Sequence, residues 1–184
     1  GVYLSGLFVA CMFCHGELAR LRPGPRHLTL FYLVVSLGGV VGGVLVGIVA
    51  PLTLPGYLEL EIALVVVALL ALYLNLDRPK PIVGMFAVVA AFTAGALARR
   101  VDAFTEDTVL VERNFYGVLR VKEVLARDTD PETRYRSLVH GAILHGDQYL
   151  DPPYNRSATT YYKAKSGIGR ILLLKEKLNP DVPR

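Results

Sequence analysis

The chain has 184 residues, 53% hydrophobic and 20% charged, and its net charge of +4 is too small and too dispersed to indicate a nucleic-acid partner. Its two cysteines, both in the first half, exclude a disulfide framework. Residues 1–98 hold 5 Lys and Arg against 4 Asp and Glu, whereas residues 99–184 hold 15 against 12, so a domain boundary is expected near Arg99.

Residues 2–14 are apolar but number only about 13, against the roughly 20 that a membrane span needs. They read as the end of a helix, in a chain that reads as a fragment at both ends. No basic n-region or small-residue cleavage site marks a signal peptide. Cys11-Met-Phe-Cys14-His15 spells the attachment pattern of a c-type haem. Beside Gly16-Glu17 and an arginine-rich loop, Cys11 reads instead as a small packing residue one turn before Cys14.

Residues 28–50 carry no charge and would form a helix of about 34 Å, enough to cross a hydrocarbon core of roughly 30 Å. Gly39, Gly43 and Gly47 recur every fourth residue as a smooth stripe for helix packing, widened by Gly38 and Gly42. Pro51 and Pro55-Gly56 are expected to break this helix. Residues 58–76 form a second expected span, with Glu59 and Glu61 near its start, where water at the membrane edge would solvate them. A short connector, residues 77–81, leads to a third apolar run at 82–98, about 25 Å long and the weakest of the three.

Loop 15–27 carries Arg20, Arg22 and Arg26, loop 51–57 has no basic residue, and loop 77–81 has Arg78 and Lys80. By the positive-inside rule this alternation puts the second half of the chain outside, unless the third run is re-entrant or interfacial. Residues 99–107 read as a linker and residues 108–184 as a separate domain.

From Thr108 the hydrophobic period changes to two. Phe115, Gly117, Leu119 and Val121 alternate with Tyr116, Val118, Arg120 and Lys122, as in a half-buried strand. Turn residues at 128–132 predict a hairpin whose return strand runs over 134–140. Gly141 and Gly146 bracket a further short strand, and Asp151-Pro152-Pro153 ends the β region. Ser166 is placed to cap a helix with apolar positions Ile168, Ile171, Leu172 and Leu178, stopped by Asn179-Pro180.

His140 and His145 invite a metal reading. On one uninterrupted strand their odd separation sends them to opposite faces and no third ligand stands beside them, so no metal is expected. Ser166-Gly-Ile-Gly169 looks like a nucleotide loop but lacks the preceding strand and the third glycine, and reads as a close-packed helix start. The basic set Lys163, Lys165, Arg170, Lys175 and Lys177 around that helix reads as a solvated or headgroup-facing surface.

Three blocks of the second half carry a family resemblance: Arg-Asn-Phe-Tyr-Gly-Val-Leu-Arg-Val at 113–121, Leu-Val-His-Gly-Ala-Ile-Leu-His-Gly-Asp-Gln at 138–148, and Thr-Thr-Tyr-Tyr running into Ser-Gly-Ile-Gly at 159–169. They resemble the small β-domain and first helix that open spermidine synthases, and more closely the membrane-fused spermidine synthase-like proteins. The His-Gly-Glu-Leu, Arg-Leu-Arg-Pro and Pro-Arg-His-Leu-Thr motifs of that membrane-fused group match residues 15–29, which implies that His15 lies in a loop. Tyr116 keeps the family's tyrosine, while Gly117 stands where a glutamine is usual and His140 replaces an aspartate. Leu144 occupies a second glutamine position unless a shift brings Gln148 there. Tyr161-Tyr162 is followed by Lys163 in place of the family's His-Glu.

The resemblance implies a membrane α-helical segment followed by a small antiparallel β-domain and one helix, with an α/β Rossmann-like methyltransferase-type domain expected after Arg184. It implies aminopropyl or other S-adenosylmethionine-derived group transfer to a small-molecule amine, in a multi-pass protein of the cell inner membrane whose β-domain is cytoplasmic. Tyr116, Gln148 and Tyr162 are the candidate pocket-lining residues, and the catalytic acid is expected beyond Arg184. These 184 residues are expected to bind no cofactor themselves; S-adenosylmethionine or its decarboxylated form would be a substrate of the full protein. Other expected partners are the lipid bilayer and further transmembrane helices of the same protein. The rival expectation is a membrane transporter or scaffold whose β-domain regulates without catalysing.

Overall fold

The computed structural model describes residues 1–126 and 133–178, and its chain falls into two compact units, Gly1–Thr105 and a second that begins at Glu106. The expected turn at 128–132 and helix stop at 179–180 lie outside the described residues.

The first unit is helical. Helix α1 runs Val2–Arg20 and is longer than expected. It passes straight through His15, which is not in a loop: His15 Nδ1 lies 2.8 Å from the Cys11 carbonyl oxygen one turn back. Glu17, Leu18, Ala19 and Arg20 are good helix formers, and Glu17 pairs with Arg20 across one turn, so the polar end extends the helix.

A 3₁₀ turn, Pro25–His27, opens α2 (Leu28–Val44), which continues through a π-helical stretch, Leu45–Val49, into α3 (Ala50–Thr53). Pro51 therefore does not break the helix. A proline ring clashes with the carbonyl four residues back, and the wider π turn, in which Ala50 N–H donates to Leu45 O, relieves that contact. The break comes at Leu54, extended at ψ 136° before Pro55.

Helix α4 spans Glu59–Leu74, about 24 Å, shorter than the span expected over 58–76. It ends where the Asn75 side chain donates to the Ala71 carbonyl at 2.8 Å. Helix α5 spans Lys80–Thr105, about 39 Å. The run expected to be weakest, 82–98, is thus part of a 26-residue helix, and most of the expected linker 99–107 is helical. Charge did not stop it because no Gly or Pro lies between Gly95 and Gly117; Asp107, at φ 55°, marks the chain's departure after the helix. A re-entrant third run loses its basis in short length.

By length and composition, three helical segments among the described residues can cross a membrane: Val2–Arg20, Pro25–Thr53 and Lys80–Thr105. Packing agrees with a lipid solvent. The buried apolar residues of this unit are mainly small, Ala50, Ala68, Ala71 and Ala90 with Leu58, while many of the large aliphatic side chains face outward. Glu61 is not solvated as expected. It is 7% exposed, and its carboxylate lies 3.6 Å from Arg100 Nε on α5. The Gly39, Gly43 and Gly47 stripe is open: a Cβ at any of these positions would have nothing within 4 Å among the described residues.

The second unit is built on a four-stranded antiparallel sheet in the order β1-β2-β3-β4, with β1 Thr108–Asn114, β2 Gly117–Ala126, β3 Thr133–His140 and β4 Ile143–Tyr149. Phe115 and Tyr116 do not belong to an alternating strand. They form the two-residue turn between Asn114 and Gly117 and are 92% and 87% exposed. The buried parity is the other one, with Val118 of β2 inward and Thr133 and Ser137 of β3 on the same face of the sheet. Tyr149 extends that face, its ring 6.1 Å from Tyr135 and 5.7 Å from Tyr154.

Asp151 ties the chain after β4 back to the start of β3. Its Oδ2 accepts Arg134 N–H at 3.2 Å and the Thr133 hydroxyl at 3.3 Å, and Arg134 Nη2 lies 3.5 Å from Oδ1. These bonds, the backbone one first, hold the Asp151 carboxyl below its usual range. A carboxyl whose folded pKa is depressed adds stability that is present above the unfolded value and is lost as pH falls through the folded one. Acid unfolding of Asp151→Asn should therefore show a flatter dependence below about pH 4 than the parent. Superimposable acid limbs in circular dichroism would refute this.

Helix α6 spans Gly167–Leu178. Ser166 caps it as expected, its Oγ accepting Gly169 N–H at 3.1 Å. Gly169 is buried where a Cβ would run into the Lys163 carbonyl oxygen and Ala164, so this glycine serves close packing, whereas a Cβ at Gly167 would meet nothing within 4 Å among the described residues.

Candidate functional site

Strand pairing sorts the sheet side chains onto two faces. Asn114 pairs with Gly117, Leu119 with His140, Val121 with Leu138, Glu123 with Arg136, and Arg136 with Gln148, so one parity gathers these residues opposite the buried face. Over this face lies an open cleft of about 690 Å³. Tyr116, Gln148 and Tyr162, the three residues singled out from sequence, all line it.

Each arrives by a different route. Tyr116 stands at the β1–β2 turn, where its backbone N–H donates to Asn114 Oδ1 at 2.9 Å, an Asx bond that fixes the turn. Gln148 comes from β4 opposite Arg136. Tyr162 ends the 3₁₀ turn Thr160–Tyr162. That turn is held against β4 by Thr159 Oγ1 donating to the Asp147 carbonyl and by the Tyr161 hydroxyl donating to the Leu144 carbonyl at 3.2 Å.

His140 and His145 do not part to opposite faces. The strand between them is interrupted by the Gly141-Ala142 turn and by a bulge, since Leu138 pairs with Gly146 and Val139 with Leu144, leaving His145 unpaired. The extra residue restores the parity, and the two rings stack 5.9 Å apart on the cleft wall. Among the described residues no group of three or more His, Cys, Asp or Glu side chains gathers to hold a metal. His140 also explains Gly117. At φ +150° this residue has a backbone that side chains rarely adopt, and the His140 Nε2 atom sits where a Cβ would project.

Arg136 is the lining residue that sequence reasoning missed. Its Nε donates to Glu123 Oε2 at 3.0 Å, and Glu123 also accepts Arg134 Nη1 at 3.2 Å. Its signal was parity: Arg136, Leu138 and His140 alternate along β3 and must share a face. Asp147 faces the other way, its Oδ1 accepting the Ser137 hydroxyl at 2.6 Å.

Compared with known proteins, the chain matches no family model, no curated protein and no solved structure.

Proposed function

We propose that the chain is part of an integral membrane protein of the spermidine synthase-like class, which transfers an aminopropyl or other S-adenosylmethionine-derived group to a small amine. The observation that carries this reading is the convergence of Tyr116, Gln148 and Tyr162 on one cleft from a turn, a strand and a 3₁₀ segment far apart in sequence. In this reading the open sheet face forms one wall of a substrate pocket, and a nucleoside-binding Rossmann-like domain that follows in sequence supplies the other wall and the catalytic acid. The sheet then lies on the cytoplasmic side of the inner membrane, where such metabolites are found.

A second reading, a transporter or scaffold with a regulatory β-domain, is favoured by one observation. The glycine stripe on α2 is bare and suits a further helix.

One titration separates them. The full-length protein in detergent should bind S-adenosylmethionine or its decarboxylated form saturably and turn over an amine. Tyr162→Ala should weaken that binding about tenfold, roughly the 1.4 kcal/mol a ring contact supplies. No saturable binding would overturn the enzyme reading in favour of the second.

A further inference from the structure

Among the described residues the cleft wall is rich in unused donors, and its free acceptors are neutral ones. The two terminal nitrogens of Arg136 make no hydrogen bond among the described residues, because Glu123 engages only Nε. The ring nitrogens of His140 and His145 and the amide of Gln148 likewise make no hydrogen bond among the described residues, and all four residues line the same cleft. Its carboxylates are committed. Asp147 is turned toward Ser137 by strand parity, and Glu123 at the margin takes both Arg134 and Arg136.

This chemistry suits an anion. A guanidinium whose outer edge is free offers two parallel N–H donors to a carboxylate or phosphate, and imidazole and amide N–H groups can complete the shell. A bare diamine brings only donors, and among the described residues this wall offers its ammonium groups neutral acceptors but no carboxylate that is not already hydrogen-bonded. We propose that the cleft takes a small organic molecule carrying a carboxylate or phosphate, held by Arg136 with His140, His145 and Gln148 around it. The consequence that the amine acceptor itself bears an acidic group rests on the enzyme reading above; the oxyanion site does not.

The test compares putrescine with ornithine, the same diamine bearing one carboxylate, by calorimetric titration of the full-length protein, with inorganic phosphate as competitor. Ornithine should bind at least about tenfold more tightly than putrescine. Arg136→Gln should erase that difference and Arg136→Lys keep part of it, each checked for native circular dichroism. Should Arg136→Gln not fold, His145→Ala, at the unpaired bulge, is expected to reduce the preference severalfold. Displacement of ornithine by phosphate would mark a general oxyanion site, and its failure a carboxylate site; both support the proposal. Equal or tighter binding of putrescine, a preference that survives Arg136→Gln, or no binding of any of the three would overturn it. S-adenosylmethionine, titrated in the same sample, keeps the two claims apart. If it binds and ornithine is not preferred, only the oxyanion site fails; if ornithine is preferred and it does not bind, only the enzyme reading fails.

Discussion

Arg100→Gln should destabilise the helical unit by about 3 kcal/mol, the cost of leaving a buried carboxylate without its cation. The effect is asymmetric because the two partners differ in exposure. The Glu61 side chain is 9% exposed and Arg100 53%. Losing Arg100 strands Glu61 in the α4–α5 packing, whereas losing Glu61 leaves a guanidinium that can turn its head to water along its flexible stem. Glu61→Gln alone should therefore cost much less, and the double variant Glu61→Gln with Arg100→Gln should recover most of the loss. Thermal unfolding of the four proteins in one detergent reads this as a cycle. A midpoint for Arg100→Gln equal to that of the parent would show that the pair contributes nothing.

Gly117→Ala is expected to cost about 2 kcal/mol from backbone strain alone, with a further penalty for displacing the His140 ring. The left-handed φ of +150° and the contact with His140 Nε2 act at the same atom, so relief of one does not relieve the other. The outcome should be specific: the β1–β2 turn that carries Tyr116 shifts, and the His140–His145 stack opens. Histidine ring resonances in NMR should move together, and chemical unfolding should occur at lower denaturant. Substitution at Gly16, where a Cβ meets nothing within 4 Å, is the control and should leave both unchanged.

What could be read in advance depended on whether the deciding interaction was local. Residues 28–50 announced a membrane helix by composition, and the helix is there, extended at both ends. The change of period after Thr108 announced strands, and Ser166 announced a helix start, because alternation and capping are written within a few residues. Glu61 could not be read. Its burial depends on Arg100, 39 residues away on another helix, and sequence position alone put it at a wet edge. The histidine pair failed for a related reason. Alternation holds only along an unbroken strand, and the turn and bulge between His140 and His145 are set by pairing with β3. Phe115 and Tyr116 were misplaced because an apolar pair reads as strand, although Asn114 before it and Gly117 after it supply the turn chemistry. For the candidate site, sequence supplied three of the lining residues and missed Arg136, whose role is visible only when β3 is laid between β2 and β4.

The strict β1-β2-β3-β4 order also bears on how this unit is made. Every strand neighbours the one synthesised just before it, so the pairings are of low contact order and little loop-closure entropy opposes them. The sheet can zip up hairpin by hairpin as the chain leaves the ribosome, without waiting for a distant strand. A protein with helices long and apolar enough to cross a membrane thereby gains a second half that assembles on its own schedule, and the cleft wall is finished when β4 docks.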